Sequence, residues 1–404
     1  VNDYSSEDPT PRKKSRARER VERRRQTHAH PSATTPIRPI PLVRRPRVRQ
    51  VIPAGIQSFS LEDLPLNTIR LVVILAGAAA LMIGIVVVLG LFKDDEAVLG
   101  QNAIWIGTEW TYQDHSPEAM ANFAQKLRDH QIGSVYAWVS WLKEDGQWAG
   151  TRSGTNEFAE MEASVMLFVR QFKAAYPESR LYGWIGVPTE NASIPYRLGD
   201  PTLQETIATF SDYLVQTLGF DGVFLNVEPV WNHYSEDFLA LLGTVRRTIG
   251  DDALISVAIP PDWTPINANI PKPAQVAPGT EWDKAFKQRV SFLVDELAIM
   301  AYNSGLTSPF DYIEWMAYQV ESYAIALDEV DSGAQIMIGI PTYDNELPGH
   351  NTAVENVSSA LSGVRLGLER SAGAANQVQG VAIYAGWAMD DTEWLQFKEG
   401  WIKP

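Results

Sequence analysis

Three regimes of hydrophobic and polar patterning follow one another along the chain. In residues 1–68, "TPRKKSRARERVERRR" is a charge run and "PSATTPIRPIPLVRRPRVRQVIP" alternates Pro and Arg. Neither has an apolar period that could bury a core, so this segment reads as a disordered basic tail. Then "LVVILAGAAALMIGIVVVLGLF", Leu71 to Phe92, runs 22 residues without a charge. At 1.5 Å per residue it spans roughly 33 Å, enough for a bilayer core of about 30 Å. It is too long and too deep in the chain for a signal peptide, and a transmembrane helix is expected over 69–92. Residues 93–102 read as a short linker.

From Ala103 onward, apolar runs alternate with amphipathic ones. The expected strands are "AIWIGTEW" (103–110), "SVYAWVSW" (134–141), "RLYGWIGVP" (180–188), "GVFLNVEP" (222–229), "ALISVAIPP" (253–261), "ELAIMAYNS" (296–304), "QIMIGIPTYD" (335–344) and "GVAIYAGWAMD" (380–390). Between them, sets such as Leu203, Ile207, Phe210, Leu214 and Leu218 follow the 3.6-residue period of a helix. Eight strand–helix units in 103–404 predict an α/β fold, a (β/α)8 barrel. The alternative, a doubly wound open sheet, calls for a Gly-rich turn after the first strand, and "GTEW" is not one.

Charge sharpens this division. The chain carries 34 Lys/Arg and 49 Asp/Glu; residues 1–96 hold 16 and 10 of them, leaving 18 basic and 39 acidic residues for the rest. The basic excess before the apolar run orients the N-terminus toward the cytoplasm and the acidic barrel outside, as a single-pass protein. The tail then reads as a topology signal and not as a nucleic-acid-binding arm. With no Cys, thiolate zinc sites and cysteine nucleophiles are excluded. The six His show no ligand spacing, so no metal or cofactor is expected. The sequence contains neither a G-x-S-x-G elbow nor a P-loop. Thirteen Trp suit a surface that stacks on sugar rings, although barrels also bury Trp.

In barrels of this kind chemistry sits at the C-terminal ends of the strands. In "GFDGVFLNVEPV" (219–230), alternation turns Gly222, Phe224, Asn226 and Glu228 one way and Val223, Leu225 and Val227 the other. A polar pair, Asn226 and Glu228, therefore crowns the barrel mouth. Glu228 reads as an acid/base or as a structural ion-pair partner, and Asn226 as a substrate-holding or a satisfied buried amide. A second carboxylate would have to come from strand-end candidates such as Glu109, Asp262, Asp344 or Asp390.

This strand resembles the strand-4 signature of family 18 glycoside hydrolases, D-x-x-D-x-D-x-E. Asp221 matches its first Asp and Glu228 its Glu, while Phe224 and Asn226 replace the two between. An apolar residue followed by Asn is similar to the strand-4 motif of the family 85 endo-β-N-acetylglucosaminidases. "IMAYNS" resembles the family 18 strand-6 M-x-Y-D, with Asn303 in the Asp position, and "IGIPTYD" its strand-7 G-x-P-x-Y, ending on Tyr343. "GVAIYAGW" occupies the place of its strand-8 Trp, with Tyr384 on that position and Trp387 three residues later. The resemblance covers 103–390 and leaves no room for an inserted domain after strand 7, which implies an open groove.

What the resemblance implies is a chitinase-like or endo-β-N-acetylglucosaminidase-like enzyme that cleaves β-linked N-acetylhexosamine glycans with the substrate's own acetamide as nucleophile, an exception to the two-carboxylate scheme. Glu228 would be the acid/base, with Asn226 and Tyr302 holding the acetamide. Trp387, Tyr384, Trp110, Trp141, Asn303 and Tyr343 would line the sugar site. The partner would be a polysaccharide or glycan of the cell envelope, with no nucleic acid; the oligomeric state stays open. Two alternatives remain. One is a catalytically inactive glycan-binding or scaffold barrel, favoured by the loss of the motif's carboxylates. The other is an envelope sensor that reports through its tail.

Overall fold

A computed structural model of the chain describes residues 101–403, apart from 152–153, 266–267 and 344–348. The tail, the expected transmembrane helix over 69–92, most of the linker, and Asp344 lie outside the described residues. Among the described residues no helix is long and apolar enough to cross a membrane.

Eight parallel strands close into a barrel in chain order: β1 (Asn102–Ile106), β2 (Ile132–Trp141), β3 (Arg180–Pro188), β4 (Gly222–Glu228), β5 (Leu254–Ile259), β6 (Glu296–Ile299), β7 (Gln335–Pro341) and β8 (Val378–Tyr384). Because β1 pairs with both β2 and β8, the open-sheet alternative is excluded. The barrel begins one residue earlier than expected, and Asn102 is buried, its side chain tying Val381 and Trp401 to the barrel's start. Several strands end sooner than their apolar runs: β1 at Ile106, β6 at Ile299 and β8 at Tyr384. Beyond those points the apolar residues sit in loops and turns or, after β1, in a short helix, and an apolar run by itself does not distinguish a strand from these.

The helices are α1 (Thr108–Thr111), α2 (Pro117–Asp129), α3 (Glu162–Ala175), α4 (Pro201–Gln216), α5 (Ser235–Ile249), α6 (Lys284–Ser291), α7 (Pro309–Asp328), α8 (Val357–Ser371) and α9 (Asp391–Phe397). Their starts are written locally. Ser116, Asp200 and Ser308 each accept a hydrogen bond from an N-terminal backbone N–H and each precede a Pro, which needs no partner at that position. In α4 the expected stripe of Leu203, Ile207, Phe210 and Leu214 is buried against the barrel. Each such side chain contributes about 1.5–3 kcal/mol by leaving water.

Strand parity produces two separate cores. Val223, Leu225 and Val227 of β4 face the helices, whereas Phe224 faces the barrel interior. There Trp105, Tyr136, Trp184 and Phe224 crowd in from β1–β4, and β5–β8 answer with Ser256, Ala258, Ala298, Met337 and Ala382. Large against small keeps the interior filled without forcing rotamers.

At the opposite end, carboxylates staple the strands. Asp221 accepts from the Leu181 N–H and from Lys173, both at 2.7 Å, so it is a structural group. Asp295 repeats the pattern with the Ile255 N–H and Arg246, again at 2.7 Å. Inside the barrel, Glu296 is 1% exposed and accepts from Tyr136, Ser256 (2.8 Å) and Ser134 (3.4 Å). Burial pushes its pKa up and these donors pull it back.

Candidate active site

Glu228 is the last residue of β4, and the Glu228–Pro229 peptide bond is cis. The Asn226 Nδ2–H donates to Glu228 Oε2 at 3.0 Å, which shows that both side chains point to the mouth, as parity requires. The other end of that amide, Oδ1, is buried and has no hydrogen-bond partner. An ionised carboxylate only accepts, so with Glu228 ionised the amide turns its nitrogen to Glu228 and leaves its oxygen free for another donor.

Glu228 is open to solvent, but it sits at the bottom of a concavity with protein around most of it. Desolvation by that surround pushes its pKa above the ordinary glutamate value, and the Asn226 hydrogen bond opposes the rise. Water still reaches the carboxyl, so the desolvation becomes complete only when a ligand covers it.

Two clefts meet at the mouth. The first, about 460 Å³, contains Glu228, Glu190, Pro260, Met300, Tyr302 and Asn303. The second, about 590 Å³, is walled by Trp138, Trp141, Trp184 and Tyr384. The larger cleft is the aromatic one, with Glu144 also on its wall; Glu228, Glu190 and Tyr302 gather in the smaller. Tyr302 and Tyr384 stack face to face where the clefts adjoin, with ring centroids 4.7 Å apart and planes 6° from parallel. The Tyr302 pKa is held well above the ordinary tyrosine value, first by burial and then by Tyr384, Tyr343 and Glu228. Its hydroxyl is therefore a proton-bearing donor at physiological pH. Gly339 of β7 makes room for this ring: a Cβ there would lie 2.9 Å from Tyr302 Cε1 and 2.6 Å from the Ile299 carbonyl oxygen.

The residues expected from the sequence divide as follows. Glu228, Tyr302 and Asn303 line one cleft, Asn226 joins them through its hydrogen bond to Glu228, and the Asn303 Oδ1 is a second buried, unpartnered acceptor. Trp141 and Tyr384 line the aromatic cleft; the Trp141 Nε1–H donates to the Thr151 carbonyl at 3.1 Å. Trp387 stands at the rim, 38% exposed, its ring parallel to Trp184 at 6.4 Å and edge-on to Tyr384 at 5.7 Å. Tyr343 is in a second row, buried behind Tyr302 and Tyr384 and packed on His350. Trp110 is elsewhere. The chain turns into α1 after Ile106, and Trp110 stacks between Phe123 and His115 in a separate cavity outside the barrel.

Of the four expected second carboxylates, Asp344 lies outside the described residues and the other three are engaged elsewhere. Glu109 accepts from the Gly107 N–H at 2.8 Å, Asp262 is buried in an ion pair with Lys287, and Asp390 caps α9. The carboxylate that shares the cleft with Glu228 is instead Glu190, which accepts from the Trp231 Nε1–H at 2.8 Å. It follows β3 in "VPTENAS" and carries no motif that could have marked it. Among the described residues no group of His, Asp and Glu has the arrangement of a metal site.

No family model matches the sequence, and no curated protein matches it. Solved structures similar to the barrel include a chitinase from Chromobacterium violaceum, at 14% identity over 75% of this chain and 99% of that one, with a TM-score of 0.49. A class V chitinase from Pseudomonas fluorescens is similar at 13% identity over 74% and 98%, with a TM-score of 0.48. The spore cortex-lytic enzyme SleL of Bacillus cereus is similar at 9% identity over 74% of each chain, with a TM-score of 0.47. The barrel assignment itself rests on the closed strand pairing, and none of these structures bears on the family 85 likeness of the β4 motif.

Proposed function

We propose that the barrel is a glycoside hydrolase acting on β-linked N-acetylhexosamine glycans by substrate-assisted acid/base catalysis. One observation carries this reading: a carboxyl with a raised pKa at the barrel mouth lies 3.0 Å from the nitrogen of an amide whose oxygen is buried and unpartnered. A buried polar atom without a partner calls for one, and the N–H of a 2-acetamido group is of the right kind. The names of the similar solved structures, chitinases and a cortex-lytic enzyme, agree with the reading.

In the proposed reaction Glu228 begins protonated. The acetamide carbonyl oxygen attacks its own anomeric carbon while the Glu228 proton passes to the departing glycosidic oxygen, and the anomeric C–O bond breaks. Asn226 Oδ1 accepts the acetamide N–H and the Tyr302 hydroxyl donates to the same group, fixing the attack geometry. Glu228, now a carboxylate, takes a proton from water as that water adds to the anomeric carbon and opens the oxazolinium ring. The acetamide is restored and the product keeps the β configuration. Trp387, Tyr384 and Trp141 supply stacking faces for the flanking sugars. The reading includes a membrane anchor at 69–92 that holds the barrel on the extracytoplasmic side.

The test is reducing-end release from N-acetylglucosamine oligomers and from peptidoglycan, with Glu228→Gln alongside and the product anomer followed by NMR. The expected outcome is β product and a fall of about 10²–10⁴-fold in the variant. A product of inverted configuration would replace acetamide attack by water activated at Glu190, the other carboxylate in the cleft. Tight glycan binding without turnover in either protein would make the barrel a binding module.

A further inference from the structure

Behind the Tyr302–Asn303 turn lies a polar network that the proposed chemistry does not use. Glu355, just before α8, is 1% exposed, and its side chain is fully buried together with that of His350. A carboxylate in such a place is tolerated only if its lone pairs are filled. They are filled from one short stretch of chain. Glu355 Oε2 accepts from the Asn303 N–H at 2.7 Å, and Oε1 accepts from the Ser304 N–H at 2.8 Å and from the Ser304 hydroxyl. His350 Nδ1 stands 3.1 Å from Oε2, and its Nε2 stands 3.0 Å from the Tyr343 carbonyl oxygen. The carbonyl can only accept, and so can an ionised carboxylate. The Nε2–H therefore donates to that carbonyl, and Nδ1 faces the Glu355 carboxyl.

The turn needs such a hold. The sheet ends at Ile299, so residues 300–304 lack ladder bonds on most of their length. Asn303 sits at φ 56°, in the left-handed region that favours glycine. Gly305, at φ 76°, donates to the Gly349 carbonyl at 2.7 Å, so the segment after β7 grips this turn at a second point. The gripped residues are Asn303, Ser304 and Gly305; Asn303 and the adjoining Tyr302 line the cleft with Glu228.

We infer that Glu355 and His350 are positioning residues: they clamp the Tyr302–Asn303 turn so that both side chains stand at the geometry the reacting sugar requires. The inference rests on the proposed hydrolase reading for its kinetic consequence but not for the clamp itself. Glu355→Gln places an NH₂ against a backbone N–H, and the turn must shift. Displacement of about 1 Å at a reacting centre costs up to about 10²-fold in rate. Ser304→Ala, which removes only the hydroxyl donor, is the milder variant should Glu355→Gln fail to fold.

The experiment pairs two readouts on the full chain. Hydrogen exchange is expected to quicken at least about tenfold at the Asn303 and Ser304 amides in Glu355→Gln, with the β4 and β6 amides still protected. On N-acetylglucosamine oligomers kcat is expected to fall about 10–100-fold with KM changed less than about threefold, and most of that fall disappears in an Asn303→Ala background because both changes act on one turn. Unchanged exchange at Asn303 and Ser304 overturns the clamp whether or not the protein turns over glycan. Loss of protection across the whole barrel, or kinetic defects that multiply with Asn303→Ala, assigns Glu355 to stability alone. Absence of turnover in the unmodified protein counts against the hydrolase reading and leaves the exchange result to decide the clamp.

Discussion

Phe224 stands where the family 18 motif carries a carboxylate, so replacing it with Asp asks whether this barrel could hold one. The Phe224 side chain is fully buried, 4.2 Å from the Tyr136 ring centroid, edge-on to Trp105 at 5.5 Å and to Trp184 at 6.3 Å. The hydroxyls nearest to it, on Tyr136 and on Ser256, its register partner in β5, are already donated to Glu296. An Asp at 224 would find no cation among the rings packed on it, and its candidate donor is a neutral one, the buried, unpartnered Trp184 Nε1–H. Losing the ring costs about 3–5 kcal/mol, and an unpaired buried carboxylate adds several more, so roughly 6–8 kcal/mol is expected at pH 7. With an unfolding entropy of about 2.1 cal/mol/K per residue over roughly 300 residues, Tm falls by about 10 °C or more. Burial raises the carboxyl pKa in the folded state only, so the folded protein binds the proton more tightly. The loss is therefore smallest at low pH and grows as pH rises past the unfolded value of about 4. The assay is thermal unfolding by near-ultraviolet circular dichroism at pH 4.5 and pH 7. A Phe224→Asp protein melting within about 3 °C of the parent at pH 7 would refute this account of the barrel interior.

The remaining predictions concern the mouth and its supports. The raised pKa of Glu228 keeps the acid form present above the ordinary glutamate value, so the alkaline limb of kcat/KM is expected above that value, about 4.3; a limb at or below it rejects desolvation as the dominant cause. By the same sign, Glu228→Gln relieves the fold of a desolvated carboxylate: Tm should rise at pH 7 and show no gain at pH 3.5, and a gain of equal size at both would contradict it. Gly339→Ala drives a methyl against the Tyr302 ring, and kcat should fall at least about tenfold with far-ultraviolet dichroism unchanged. Lys287→Met strands Asp262, whose side chain is 8% exposed, and is expected to cost about 3–5 kcal/mol in urea unfolding, with much of the loss recovered in the Asp262→Asn, Lys287→Met double variant. Equal loss in the single and double variants would show that packing, not the charge, was responsible.

Eight strands, their order and the inward parity of Phe224, Asn226 and Glu228 were legible in the sequence because they depend on local periodicity. Side chains alternate along a strand whatever surrounds it, and parallel strands joined by helices close in few ways. Helix starts were equally local, carried by residue pairs such as Asp200–Pro201. Strand ends were not. "IWIGTEW" reads as one run, but the chain turns into α1 after Ile106, and the apolar Trp110 meets Phe123 and His115 instead of the mouth. Tertiary structure alone brought Glu190 beside Glu228, set Tyr384 face to face with Tyr302, and seated Glu355 behind Asn303. Those contacts join residues dozens of positions apart, and no period or spacing encodes them. They follow from where the loops close over the barrel, which the packing of the whole chain decides.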